Sequence, residues 1–299
     1  MRFYHKVLIL KKLQQVTVIG LGLLGSSITL VVSRGISGMK AAGYSHRAQT
    51  RQKARDLGVA NVVFDDMAES VADADLVILA TPICTFENIF TQIAPALKKG
   101  CIVTDVGSTK ALVHKWAAKK IGKKAHYVGS HPIAGSEQRG VEFARDDLFY
   151  NASCILTATK STNASAVRAL KKFWESLGSQ VTTMTPAMHD KILAAVSHLP
   201  HATAAALVNA SNDEQLKYSG KGFVDTSRVA SGPANVWADI FYTNSRNICK
   251  GIDRTIAELL KLREVIESED KKRIETLLEK ARAKRAKLIE YKMTTREII

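Results

Sequence analysis

The sequence predicts an α/β chain in which a doubly wound parallel sheet, over residues 1–184, precedes an all-helical domain over residues 185–299. Three observations carry the prediction. Short β-branched runs alternate with amphipathic segments through the first half of the chain. A glycine-rich turn joins the first such run to the first helical pattern, as the opening of a βαβ unit requires. After Met184 the apolar period is helical only. A length of 299 residues also suits two domains better than a single core.

Strands are expected at 16–20, 40–44, 76–80, 102–105, 127–130 and 154–157, with helices between them at 26–34, 47–57, 85–97 and 110–119. A further helix at 164–177 ends on Gly178, which suits a C-cap, and a last strand follows at 180–184. Thr185 and Pro186 then open a helical stretch at 187–209, since the missing proline N–H would have no partner in a first turn anyway. Its interior of Ala, Leu and Val, almost without charge, predicts burial on most sides. Longer helical patterns follow at 235–265 and 270–291, the second mixing Lys, Arg and Glu as a solvated face does.

Composition narrows the class. Apolar residues make up 46% and charged residues 24%, which is ordinary for a soluble globular chain and excludes a disordered one. Forty-three Lys and Arg against 28 Asp and Glu leave a net charge of +15, a balance that attracts nucleic acid, anionic membranes or small polyanions. No nucleic-acid motif is recognisable and aromatic residues, at 6%, offer few stacking platforms, so a nucleic-acid partner is not expected. Cys84, Cys101, Cys154 and Cys249 are widely spaced without a C-x-x-C, which argues against a disulfide framework or zinc knuckle and for a reducing, cytoplasmic setting. The uncharged stretch 13–33 is long enough to span a membrane, but it holds three glycines and changes from a β-branched to a helical period, so no membrane partner is expected.

The turn Gly20-Leu21-Gly22-Leu23-Leu24-Gly25 is a G-x-G-x-x-G between a strand and a helix. The first glycine suits the tight turn, the second the approach of a pyrophosphate, and the third the packing of helix on strand. With Leu23 and Leu24 in the opening helical turn, whose amides can face phosphate, this points to a dinucleotide. Thr81 and Pro82, directly after the expected strand 76–80, belong to the same candidate site. The end of the second strand decides which dinucleotide. A ribose 2′-hydroxyl calls for an acid there, whereas a 2′-phosphate calls for cations and hydroxyls. The chain reads Tyr44-Ser45-His46-Arg47, without an acid, so NADP is expected over NAD. The alternative is that Ser45 caps the following helix and Arg47 is solvated.

Other strand ends face the same crevice. Asp105-Val106-Gly107-Ser108-Thr109-Lys110 follows one, and Gly129-Ser130-His131-Pro132 to Gly135-Ser136-Glu137 holds a histidine between a strand and a Pro/Gly turn. His131 can be a general base near neutral pH, with Ser108 the nearest candidate for a hydroxyl partner. In the helical half, Ser197 and His198 interrupt an apolar helix just before Pro200. His198 and His201 lack a third ligand at helical spacing, so metal is not expected and His198 is read as an anion ligand. Further on, Arg228 is either an ion-pair partner, with Asp225 the obvious acid, or a bidentate carboxylate clamp.

Taken in order, G-x-G-x-x-G, D-x-G-S-x-K, G-S-H-P-x-A-G-x-E, H-D-x-x-x-A-x-x-S-H-L-P-H and G-F-x-D-x-[ST]-R-x-A, followed by Trp237-Ala238-Asp239-Ile240, resemble the prephenate/arogenate dehydrogenase family of tyrosine biosynthesis. The resemblance runs from about Val16 to the final helix. It implies a Rossmann domain binding a nicotinamide cofactor, a helical domain that makes a homodimer, and a small-molecule substrate held between them. It also implies that His131 accepts the ring-hydroxyl proton, that Ser108 shares this contact, and that His198 and Arg228 hold substrate carboxylates. Ser136 and Ser197 are the further substrate-binding candidates, and Glu137 and Asp225 match polar residues that gate the pocket. The missing acid after the second strand resembles the NADP-using branch. The residues preceding Val16 and following the helices match no mutase or regulatory module, as expected of a monofunctional form. Another dehydrogenase on the same two-domain plan, of the β-hydroxyacid or ketopantoate type, would carry a catalytic lysine, and no matching motif surrounds Lys191 or Lys221.

Overall fold

The structure is a computed structural model and describes residues 13–36, 38–135 and 138–294. The chain forms two compact units, one ending at Ile248 and one starting at Cys249.

The first unit begins with β1 (Gln15–Ile19), α1 (Leu23–Gly35), β2 (Lys40–Tyr44), α2 (Ala48–Asp56), β3 (Val62–Phe64), α3 (Met67–Ala72), β4 (Leu76–Leu79), α4 (Phe86–Ile93), β5 (Ile102–Asp105), α5 (Ala111–Lys120) and β6 (His126–Tyr127). These six strands make one parallel sheet in the order β3-β2-β1-β4-β5-β6. The order reverses between β1 and β4, so a crevice opens beyond their carboxyl ends. Both faces are covered: Val16 and Val18 pack with Ile28, Val32, Leu76 and Ile78, while Ile19, Val77 and Leu79 pack with Phe86, Phe90 and Val103. A strand buried on both sides reads as a continuous apolar run, which is why β1 and β4 are legible in sequence.

Beside this sheet lies a second one, of β7 (Gly129–Pro132), β8 (Ser153–Thr157) and β9 (Gln180–Met184), with α6 (Ala164–Ser176) between β8 and β9. β7 runs antiparallel to β8, and β9 parallel to it. The expected strand 127–130 therefore divides at Val128 into β6 and β7, which belong to different sheets. Apolar periodicity reports burial, and a chain that leaves one buried sheet for another stays buried throughout. β3 and α3, of three and six residues, lie below the length at which a period can be counted.

The helical part of this unit comprises α7 (Pro186–Leu193), a π-helical turn (Ala194–His198), α8 (Leu199–Asn209), α9 (Asp213–Leu216), α10 (Lys221–Ser227), a 3₁₀ turn (Arg228–Ser231), α11 (Ala234–Thr243) and the start of α12 (Ser245–Glu267). Thr185 caps α7 through its hydroxyl, which accepts from Met188 N. The π turn sits directly before Pro200, whose missing N–H leaves the carbonyl one turn earlier without its α-helical donor. No strand follows Met184 among the described residues. The doubly wound sheet followed by helices is the fold expected from sequence. The expected helix 235–265 is, however, broken at Asn244, whose φ of −126° and ψ of 21° close α11 before α12 begins.

In the second unit, α12 continues to Glu267 and α13 spans Lys271–Thr294. Its charged surface carries pairs one turn apart, among them Lys261 with Glu258 at 2.9 Å and Arg263 with Glu267 at 2.8 Å. Exposed pairs of this kind are screened by water and salt, so they tune the helices rather than hold them.

Candidate active site

A cleft of about 820 Å³ lies at the carboxyl ends of β1, β2 and β4, lined by Gly20, Gly22, Ser45, His46, Arg47, Thr81 and Pro82 among others. The three glycines each answer a different demand. At Gly20, with φ +107°, a side chain would be both conformationally strained and 2.5 Å from the Ala80 carbonyl oxygen. Beside Gly22 there is open space, which leaves the backbone approachable by a ligand. A Cβ on Gly25 would sit 1.9 Å from the Gly20 carbonyl oxygen, so only glycine lets α1 pack there. The side chains of Leu23 and Leu24 pack into the core, so these residues can offer only backbone to the cleft. Helix α1 starts at Gly22 with neither a side-chain cap nor an acid in its first turn, which suits its amides to an anionic group.

At the far end of the cleft, the turn after β2 presents Ser45, His46 and Arg47. The N-cap of α2 is Arg47 rather than Ser45, and no side-chain cap bond closes it. Arg51, unnoticed in the sequence, braces this turn: it donates to the Ser45 carbonyl at 2.8 Å and to the His46 carbonyl at 3.2 Å, and its Nε pairs with Asp65 at 2.7 Å. Lys53 also lines the cleft, but its charge is met by Glu142 at 2.8 Å.

The second cluster is built around His131 on β7. Its Nδ1 lies 2.9 Å from Nε2 of His189 on α7, and Nδ1 of His189 lies 2.8 Å from Asp190 Oδ1. Asp190 closes the chain by capping α5 from outside: its Oδ1 accepts from Lys110 N and its Oδ2 from Ala111 N, both at 2.8 Å. His189 and Asp190 are fully buried. Burial holds His131 well below the ordinary histidine range, with His189, Lys110 and His198 adding to the effect, and it lowers His189 despite the opposing bond from Asp190. Both rings are therefore neutral at neutral pH. The partner that His131 finds is His189, not Ser108, which stays half-buried in the turn after β5.

That turn is held from below by a fully buried ion pair of Lys110 with Asp105. Asp105 also accepts from Gly107 N at 2.7 Å and from the Tyr127 hydroxyl at 2.5 Å, so the pair is satisfied on several sides. On the helical side, His198 is buried and its Nδ1 faces Nδ2 of Asn244 at 3.2 Å, while its Nε2 has no partner among the described residues. Burial pushes His198 down to about 4, so its ring is neutral at neutral pH. His201 instead stacks on Trp237 with ring centroids 3.6 Å apart, a packing role that Gly232 permits by leaving room for the indole. Helix α11 is tied to the strand ends through Asp239, which accepts from Cys84 N at 3.2 Å, and through a 2.8 Å bond between Thr243 and Thr109.

The structure thus joins His131 and His198 through His189, Asp190 and Asn244, three residues that sequence reasoning did not place in the site. Ser197 is half-buried on the π turn beside His198. Arg228 and Asp225 are exposed, with no ion pair between them among the described residues, and Arg228 lines a separate depression of about 430 Å³ with Phe223 and Ser231. Ser136 and Glu137 lie outside the described residues.

Comparison with known proteins places this arrangement. Residues 31–183 match the family model described as prephenate dehydrogenase, nucleotide-binding domain, and residues 185–280 that described as prephenate dehydrogenase, dimerization domain. The cyclohexadienyl dehydrogenase of Zymomonas mobilis is 34% identical over 264 residues, covering 86% of this chain and 90% of that one. Prephenate dehydrogenase from Aquifex aeolicus, solved with hydroxyphenyl propionate and NAD+, superposes with a TM-score of 0.85 at 34% identity, over 92% of this chain and 98% of that one. Synechocystis arogenate dehydrogenase superposes with a TM-score of 0.81 at 29% identity, over 92% and 99% of the two chains. Matched through both its nucleotide-binding and its helical part, the chain belongs to the prephenate dehydrogenase family.

Proposed function

We propose the following division of labour for the oxidative decarboxylation that family membership assigns to this oxidoreductase, with prephenate or arogenate as substrate. Nε2 of His131 takes the proton of the ring hydroxyl, and a nicotinamide held in the cleft beyond β1 and β4 would supply the acceptor for hydride from the same ring carbon. The resulting dienone loses the carboxylate on the opposite quaternary carbon as carbon dioxide, because the ring becomes aromatic, and the phenolate oxygen then takes the proton back. No proton is lost in the balance, so His131 acts first as base and then as acid.

The observation that carries this reading is the bond from His131 Nδ1 to His189, which leaves Nε2 as the other nitrogen of a neutral ring, with no hydrogen bond among the described residues. His198 donates from Nε2 to a substrate carboxylate, and Ser108 and Ser197 serve as hydroxyl ligands, on the family resemblance. We assign the second carboxylate to Arg228, with Asp225, Ser136 and Glu137 shaping the entrance, on the family resemblance. A cation aimed at the departing carboxylate would hold it back, so His198 and Arg228 position the substrate rather than drive decarboxylation. Lys191 and Lys221 are exposed, which does not favour a lysine-dependent dehydrogenase.

The cofactor is NADP in this reading. Ser45 and Arg47 meet the 2′-phosphate, and the turn that carries them holds no carboxylate to repel it. Residues 1–184 bind it, and residues 185–299 bind substrate and form the homodimer. Met188, Ile192 and Val196, spaced four apart and all exposed in the single chain, make an apolar stripe suited to a second copy. Four unbridged cysteines fit a cytoplasmic setting. A steady-state matrix of prephenate and arogenate, each with NAD and NADP, tests the reading. Turnover in an NADP arm is expected, and no turnover in any arm overturns it.

A further inference from the structure

We infer that His189 and Asp190 are positioning residues that set the tautomer of His131 and hold the borrowed proton in place until it is returned. The inference rests on the reaction proposed above.

Hydrogen-bond logic runs along the chain in one direction. Asp190 receives backbone N–H groups on both oxygens and can only accept from the ring beside it. Nδ1 of His189 therefore carries a hydrogen, and its Nε2 carries a lone pair. That lone pair faces Nδ1 of His131, which must in turn carry a hydrogen. The remaining nitrogen of His131, Nε2, is thereby left unprotonated and ready to take the ring-hydroxyl proton. Each tautomer follows from the one before, and the origin is a carboxylate pinned at a helix N-terminus.

The same chain answers the need for proton storage. When His131 takes the proton at Nε2, its positive charge is shared through the Nδ1–H bond with His189 and opposed by Asp190. Because His189 and Asp190 are fully buried, the far end of this chain gives the proton no exit to water. It stays until the phenolate oxygen recovers it from Nε2, and the imidazole returns to its starting tautomer. The other charged and titratable groups facing these rings are Lys110 from the turn after β5, Asp105 at the end of β5, His198 from the π turn and the buried thiol of Cys154 on β8. Asp190 is the acid of this set that is hydrogen-bonded to the relay.

Three variants test the inference. Asp190→Asn removes the charge but keeps its oxygen toward Lys110 N and His189, because an N–H there would oppose two donors and one toward Ala111 N opposes a single donor, so both tautomers are retained. We expect the acid limb of the kcat/KM profile to move down by about one pH unit, since protonated His131 loses the opposing carboxylate charge, with KM for NADP unchanged. His189→Gln offers Oε1 to His131 Nδ1 whatever stands at position 190. It keeps the productive tautomer and uncouples the Asp190 charge, so kcat stays within about tenfold of wild type. The double variant should match His189→Gln in both kcat and pH profile. A merely structural role predicts the opposite, with the two losses multiplying.

An unshifted acid limb in Asp190→Asn, a kcat loss above about a hundredfold in His189→Gln, or multiplied losses in the double variant would each overturn the relay. If Asp190→Asn does not fold, His189→Gln, which leaves the caps of α5 intact, still decides. Nitrogen-15 NMR of the wild-type histidines reads the tautomer of His131 without substrate. A hydrogen found on Nε2 refutes the inference, whereas a wild type that turns over neither acid refutes the proposed reaction instead.

Discussion

Nδ2 of Asn244 donates to the Asp190 carbonyl at 2.8 Å and lies 3.2 Å from Nδ1 of His198. A backbone carbonyl can only accept, so the orientation of the Asn244 amide is fixed, and its Oδ1 accepts from Asn247 at 2.8 Å. Nδ1 of His198 is consequently an acceptor, and the hydrogen of this neutral ring is on Nε2, the nitrogen without a partner among the described residues. Replacing Asn244 with Asp should reverse that tautomer and turn a lone pair toward the substrate carboxylate. We expect KM for prephenate or arogenate to rise by roughly tenfold, the loss of about 1.4 kcal/mol for one hydrogen bond to a charged group. KM for NADP should stay constant, and a variant with normal substrate KM would remove Asn244 from this role.

His131→Asn tests the base itself. Turnover should drop by about 10²–10⁴-fold, the usual contribution of a positioned general base, while cofactor binding measured by fluorescence titration stays near wild type. Wild-type turnover in this variant would take His131 out of the chemistry.

Ser45→Asp tests cofactor choice. A carboxylate at the end of β2 accepts from a ribose 2′-hydroxyl and repels a 2′-phosphate, so the NADP to NAD preference in kcat/KM should fall by about tenfold or more. An unmoved ratio would mean that the turn braced by Arg51 does not meet the 2′ position.

The buried pair of Lys110 and Asp105 makes a stability prediction. Lys110→Met leaves Asp105 charged and buried with only hydrogen-bond donors around it, at a cost of about 3–5 kcal/mol. Urea denaturation should show this as a lower midpoint at similar slope, and an unchanged midpoint would show that water reaches Asp105.

Acid should unfold the protein through its buried histidines. Burial pushes His114 and His198 down to about 4, against about 6.5 for an unfolded chain. Between those values the unfolded state binds more protons, so stability is complete above pH 6.5 and is lost as pH falls toward 4. His114, which bonds Thr157 at 2.9 Å and lies outside the proposed chemistry, offers the cleaner probe. His114→Gln should flatten the dependence of Tm on pH across this window, and an unaltered slope would assign the acid sensitivity to other groups.

Parts of this molecule were legible before folding because local constraints determine them. The G-x-G-x-x-G turn needs glycine at Gly20 for backbone conformation and at Gly25 for a helix-to-strand contact five residues away, so position alone announces it. Strands β1 and β4 announce themselves as apolar runs because helices cover both of their faces. Asn244 was hidden inside an apparently continuous helical pattern, since one residue of non-helical backbone does not disturb a period counted over thirty. Arg51 was hidden because its value lies in two backbone carbonyls that leave no trace in side-chain chemistry.

The sequence by itself determined the α/β order, the dinucleotide turn and the candidacy of His131, each set by contacts between residues close along the chain. Only the tertiary structure decided which nitrogen of His131 faces the chemistry. Its partner His189 is 58 positions away and belongs to a helix beyond the last strand. Their meeting depends on how β7 leaves the main sheet and how Asp190 caps α5, and long-range packing of that kind has no periodicity to betray it.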